Sequence, residues 1–203
     1  MFKQVIYFVI FLCLTMQTFL MGSGTESVHY QVTKQRYTFS TSFEMANARH
    51  SMGSVIKSIF HLTTNYDAYD QYGLYEGQGV CRFFCLGLFY KWATEIDVYN
   101  DQGSYVGFID GQVATSEPAK FSFYNAERER VAIAYLDQDC LGFKLINPNQ
   151  SNEILAHLRR NFIPDVPDYW DVNIYNTENL SLALVKIFAA FACDTQDSFR
   201  KDN

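Results

Sequence analysis

One apolar segment near the C-terminus, Leu180–Cys193 (LSLALVKIFAAFAC), limits what this chain can fold into more than any other feature. Lys186 is its one charged residue, so a helix here has no polar face wide enough for water. A helix that is hydrophobic all round is buried all round or lies in lipid. At 14 residues it falls short of the roughly 20 needed to span a bilayer. It closes a long run of strand-like sequence, which predicts a sheet wrapped around it. Composition agrees, since 14 Tyr and 18 Phe stand against 4 Pro. Flat and β-branched side chains pack well on pleated surfaces.

Residues 1–24 read as a targeting segment. Lys3 gives a short positive start, Val5–Leu14 (VIYFVIFLCL) is a continuous apolar run, and Gly22, Ser23 and Gly24 are small residues of the kind a signal peptidase accepts. The reading is a cleaved signal peptide and an exported protein, the alternative being an uncleaved membrane anchor over residues 1–21. Cys13 lacks the small residues that precede a lipidated cysteine. The remainder fits one domain, over residues 28–197. It holds Cys81, Cys85, Cys140 and Cys193, an even number that permits disulfides in an exported protein. Against pairing, Cys81, Cys85 and Cys193 lie in apolar stretches, where free Cys behaves as a small hydrophobe. The C-x3-C spacing of Cys81 and Cys85, with no paired His motif, does not suit zinc.

The formal charge is −6, from 16 Lys and Arg against 22 Asp and Glu, and losing Lys3 with a leader makes the rest slightly more acidic. Nucleic-acid binding needs a basic footprint, and none is visible along the chain. The same argument disfavours an anionic membrane surface.

A repeat organises the middle. Tyr69-Asp70-Gln71-Tyr72-Gly73 is echoed by Tyr99-Asn100-Asp101-Gln102-Gly103 and, loosely, by Tyr124-Asn125-Ala126-Glu127-Arg128. Return segments such as Val106-Gly107-Phe108-Ile109 and Val131-Ala132-Ile133 follow the last two, and Met52-Gly53-Ser54-Val55-Ile56 repeats that half. This pattern predicts β-hairpins with Asp/Asn and Gly in their turns. The recurring Gly or Ala marks a close approach by another element. Spacings of 30 and 25 residues are too irregular for a solenoid. Tyr30, Val32 and Lys34 fall on one face of a strand, and Trp170, Val172 and Ile174 on one face of another. Val80–Tyr90 (VCRFFCLGLFY), nearly all apolar, reads as a buried strand pair. Two helices are expected: Glu153–Arg160, capped by Ser151 or Asn149, and the terminal helix, capped by Asn176 or Thr177. Asn161–Tyr169, with Pro164 and Pro167, reads as an extended connection. On the terminal helix, Lys186 shares a side with Ala183, Ala190 and Cys193. That narrow side is expected nearest the wall or mouth, with Lys186 reaching out to water.

Hairpins of the form apolar-Tyr-[Asp/Asn]-x-x-Gly followed by Val-Gly-x-Ile, closed by an apolar C-terminal helix, resemble the LURP-one-related proteins of the tubby C-terminal-like group, which includes phospholipid scramblases. The best match is Val98–Gly111 (VYNDQGSYVGFIDG), supported by Phe121–Ala134 and Leu180–Asp194. The resemblance implies a mainly β fold, a closed antiparallel barrel of about twelve strands around the hydrophobic C-terminal helix. Members of that group are usually cytosolic or membrane-attached, which the export-like start of this chain is not. Tubby-type phosphoinositide binding uses basic residues, and no matching Lys/Arg pair is present here.

Chemistry is hard to find. G-x-S-x-G, HExxH and a P-loop are absent. Gly77-Gln78-Gly79 opens like a dinucleotide fingerprint, but Arg82 replaces the third glycine, so a turn is expected. Asp137-Gln138-Asp139 opens like a calcium loop, yet Leu141 and Pro148 fill positions that need ligands. His29, His50, His61 and His157 sit in unrelated contexts. Asp165, Asp168 and Asp171 cluster around Trp170, with a solvated loop as the default. Asn149-Gln150-Ser151 fits a glycosylation acceptor. No catalytic, cofactor-binding or metal-binding residue and no cofactor is assigned. The expectation is an exported, non-enzymatic domain that binds a lipid, a small molecule or a protein partner. The alternatives are a membrane-anchored, scramblase-like protein and an unrecognised hydrolase.

Overall fold

The computed structural model describes residues 27–58, 63–112, 120–162, 168–178 and 180–199. The leader-like residues 1–24, His61, Pro164, Asp165 and Pro167 lie outside them. Twelve strands form one closed antiparallel barrel: β1 (Val28–Arg36), β2 (Ser40–Ala46), β3 (Ser51–Ser58), β4 (Asn65–Tyr69), β5 (Tyr75–Cys81), β6 (Glu95–Asn100), β7 (Tyr105–Gln112), β8 (Lys120–Asn125), β9 (Arg130–Leu136), β10 (Gly142–Asn147), β11 (Gln150–Asn161) and β12 (Tyr169–Ile174). Each strand pairs with its neighbours in sequence, and β12 closes on β1 with Trp170 opposite Val32. Closure leaves no unpaired sheet edge.

Helix α1 (Leu182–Thr195) runs through the interior, and every position of it from Leu184 to Cys193 except Lys186 is buried. The wall meets it with every second residue: Tyr30 and Val32 of β1, Phe121 and Phe123 of β8, Trp170, Val172 and Ile174 of β12. Phe188 lies at the centre of an aromatic cluster, its ring 5.2 Å from Phe121, 5.0 Å from Phe123 and 5.1 Å from Phe143. Lys186, its side chain 13% exposed, donates to Glu76 of β5 at 2.6 Å. Among the described residues no helix is long and apolar enough to cross a membrane.

The hairpin repeat is a recurring turn. Asp70 accepts from the N–H groups of Tyr72 and Leu74, and Asn100 from those of Gln102 and Ser104. Gly73 and Gly103 occupy the left-handed slot three residues after each, and Arg128 and Cys140 fill the same slot in two later hairpins. The glycines of the return strands have a separate role. Gly53, Gly77 and Gly107, all with positive φ, lie against the carbonyls of Tyr69, Tyr99 and Tyr124, the tyrosines that precede the next turn.

Four expectations need correction. Glu153–Arg160 is not a helix but part of β11, where Ala156, Leu158 and Arg160 are buried alternately. Hydrogen bonding to β10 and β12 on both sides outweighs its helix propensity. Val80–Tyr90 is not a buried strand pair: β5 stops at Cys81, and the rest forms a loop with single 3-10 turns at Leu86–Leu88 and Lys91–Ala93. Its backbone is satisfied locally, as in Tyr90 N–H to Leu86 O, and Gly87 packs directly on Thr94. Gly77-Gln78-Gly79 is not a turn but lies within β5 as a further copy of the return-strand pattern. Finally, α1 starts after Ser181, not at Asn176 or Thr177. The backbone N–H groups of Tyr175 and Asn176 are still held by Leu155 O of β11, and the Asn176 side chain closes a turn on Glu178 instead.

Candidate functional site

Strand alternation that fills the core also builds a polar site where the core ends. Along β1 the inward row reads Tyr30, Val32, Lys34 and then Arg36, so apolar residues give way to cations as the strand reaches the barrel mouth. In β3 the same happens from Val55 to Lys57, with Thr41 of β2 and Tyr66 of β4 opposite Lys57. Helix α1 ends at this mouth and places Asp194 among them. Asp194 accepts from Lys34 at 2.9 Å, Lys57 at 2.6 Å and the Tyr66 hydroxyl at 3.1 Å. Lys34 also reaches the Asp194 carbonyl at 3.2 Å, satisfying a helix C-terminal acceptor.

Burial opposes ionisation of Asp194, but the hydrogen bonds from Lys57 and Lys34, with their charges, outweigh it and hold the carboxyl below the ordinary carboxylate range. Desolvation first, then the Asp194 charge, pushes the Tyr66 hydroxyl well up. A group whose folded pKa is depressed contributes stability that is present above its unfolded pKa, about 4, and is lost as pH falls through the folded value. Asp194→Asn is therefore expected to cost about 2–3 kcal/mol at neutral pH, since it strips two half-buried ammonium groups of their carboxylate. Its deficit against wild type should close as pH drops below about 4. Urea denaturation from pH 7 to 2 measures this, and a pH-independent deficit would refute the assignment.

Above Asp194 the mouth widens into a cavity of about 460 Å³, lined by Arg36, Lys91, Phe83 and Leu88 besides the two lysines. Arg82 also borders it, but its guanidinium is engaged by Asp97 at 2.7 Å and Glu95 at 2.5 Å. Among the described residues Arg36 and Lys91 have no carboxylate within ion-pair distance, and Asp194 is the single acidic group lining the cavity. A concave site lined by one sign of charge focuses the field on a ligand of the opposite sign. A basic footprint thus exists on an acidic chain. It is invisible in the sequence because Lys34, Arg36, Lys57 and Lys91 come from three separate segments; the inward phase of Lys34 with Tyr30 and Val32 was its one legible trace.

The residues singled out by sequence do not gather into a second site. Asp137 meets His157 at 3.3 Å, with Lys144 and Arg159 each at 3.5 Å, and Asp139 meets Arg159 at 2.7 Å. Basic side chains therefore take the carboxylates a calcium ion would need. The shallow depression around His157 has no hydroxyl or thiol in its lining. Asp168 pairs with the buried Arg160, while Asp171 faces His29 and Gln31 on β1, so the acidic group around Trp170 is split between partners. His50 sits beside Asn47 in a turn. Cys81, Cys85, Cys140 and Cys193 are all free thiols. Burial pushes the Cys81 and Cys193 thiols up to about 12, far from the thiolate a nucleophile requires. Among the described residues no group of three or more His, Cys, Asp or Glu could hold a metal ion. Compared with known proteins, the chain matches no protein-family model and no characterised protein.

Proposed function

We propose that this chain is an exported, non-enzymatic binding domain whose ligand presents an anionic group to the cavity at the end of α1. The observation that carries the reading is the cavity lining: Arg36 and Lys91 without ion-pair partners among the described residues, above Lys34 and Lys57, whose charge Asp194 only partly offsets. A ligand held inside the barrel, as in other ligand-binding barrels, is unsupported here because α1 fills that space. Binding at the mouth remains. The hydrolase alternative has little to recommend it, since desolvation pushes the Cys81 and Cys193 thiols up, away from the thiolate, and His157 has no nucleophile beside it. Export rests on Lys3 and the apolar run Val5–Leu14.

Calorimetric titration with inorganic pyrophosphate at low ionic strength tests the anion site. Saturable binding that weakens tenfold or more in the Arg36→Ala/Lys91→Ala double variant, and weakens with added salt, is the expected result. Absence of saturable binding in the wild type, or equal binding by the double variant, would overturn it.

A further inference from the structure

The loops that frame this cavity carry an unusual surface. In an up-and-down antiparallel barrel, alternate connections share an end, so the β1–β2 turn and the β5–β6 loop lie together where α1 terminates. The joint lining of the cavity by Arg36, Phe83, Leu88 and Lys91 agrees with this placement. At that end Phe84 is 95% and Phe89 76% exposed, with Leu86 at 54%, Leu88 at 59% and Tyr37 at 58%. Large apolar side chains so exposed and so close together mark an interaction surface.

We propose that this end of the barrel docks on an anionic lipid bilayer, with the tip of the Phe83–Tyr90 loop entering the interfacial region and the cations behind it facing lipid headgroups. Charge and shape argue for a bilayer over a protein partner. Phe84 and Phe89, the most exposed of the apolar residues, stand outside the cavity lining on the loop and project to solvent. Phe, Tyr and Trp with flanking Lys and Arg are the residues that settle at a membrane–water interface. The described turns at the opposite end carry Asp70, Asp101, Glu127, Glu129 and Glu178 against Arg49 and Arg128. At the docking end Asp137, Asp139 and Asp168 are each paired with a basic side chain, and Arg36 and Lys91 have no ion-pair partner among the described residues, so this end is the less acidic of the two toward a negative surface. This inference rests on the anion-binding reading for its charged half only; the aromatic rim is a separate observation.

The full chain, mixed with vesicles of phosphatidylcholine containing 30% phosphatidylserine, tests it by flotation. Wild type and variants keep the same residues 1–24, so that segment cancels in the comparison. Phe84→Ser/Phe89→Ser should lower partitioning tenfold or more while leaving pyrophosphate binding and thermal stability unchanged. Wild type should prefer the anionic vesicles to pure phosphatidylcholine by a similar factor, and the preference should fade in high salt. Trp92, half-buried in the same loop, should shift its emission to the blue and be quenched by brominated lipid, whereas Trp170, the other tryptophan, is sealed in the core. Equal partitioning by the Phe variant, or no preference for anionic lipid, would overturn the proposal. A dimer dispersed by the same substitutions would overturn it in favour of a second copy of this chain. If pyrophosphate fails to bind while vesicle binding still depends on Phe84 and Phe89, the anion-site reading falls and the docking surface stands.

Discussion

Phe188→Asp is expected to unfold the domain outright. The ring is fully buried on α1 and packs against Phe121, Phe123, Phe143 and Phe191 at once. Removing a buried Phe costs about 3–5 kcal/mol through lost transfer energy and the cavity left behind. The carboxylate adds several kcal/mol, since no cation lies within that apolar cluster to pair with it. Together these approach or exceed the whole stability of a typical domain, about 5–15 kcal/mol. Circular dichroism and limited proteolysis should find no cooperatively folded species. A folded, soluble Phe188→Asp protein would show that α1 does not occupy the interior. Leu182→Asp gives the internal comparison: it lies on the same helix but is 42% exposed at the barrel entrance, and should cost within about 1 kcal/mol.

Gly107→Ala should be the second most damaging of these changes, although it adds one methyl group. Gly107 has φ of +153°, and a Cβ there would sit 2.1 Å from the carbonyl oxygen of Tyr124. The clash is with backbone of the adjacent strand, so no rotamer change relieves it; either the β7–β8 pairing opens or the residue is driven to another conformation. A backbone region open essentially to Gly alone costs about 1–3 kcal/mol for another residue, and separating a closed ladder adds to it, for an expected total of about 3 kcal/mol or more. Gly103→Ala offers a control. Its φ is +74° with nothing within 4 Å of the would-be Cβ, and the equivalent slot already accepts Arg128 and Cys140. It should cost about 1 kcal/mol. Paired urea titrations decide the matter: similar losses at the two sites would mean that Gly107 is not a contact point between strands.

The contrast between these glycines shows how unevenly the sequence could be read. Turn chemistry is local, so Asp70-x-x-Gly73 and Asn100-x-x-Gly103 announced their hairpins, and the tiny residue on the return strand announced a close neighbour. Gly77-Gln78-Gly79 reads as a turn instead, because its β5 copy, Glu76-Gly77-Gln78-Gly79, lacks the apolar residues that flag the pattern at Gly53 and Gly107. Glu153–Arg160 looked helical because Glu, Leu and Arg favour helices, and only pairing to β10 and β12 made it a strand. The Phe83–Tyr90 run looked buried because hydrophobicity reports what a residue prefers, not whether a neighbour exists to cover it.

The sequence by itself determined that Leu180–Cys193 must be enclosed and that the residues before it form hairpins able to enclose it. Both follow from short-range physics: a helix without a polar face, and turns whose side chains bond their own backbone. Closure of β12 on β1, the exact phase in which each strand enters the mouth, and the meeting of Lys34 and Lys57 with Asp194 were decided by tertiary structure. Asp194 lies more than a hundred positions from either lysine in the chain, and nothing local links them. Register around a closed barrel brings them together, and with them the cationic cavity and the aromatic rim.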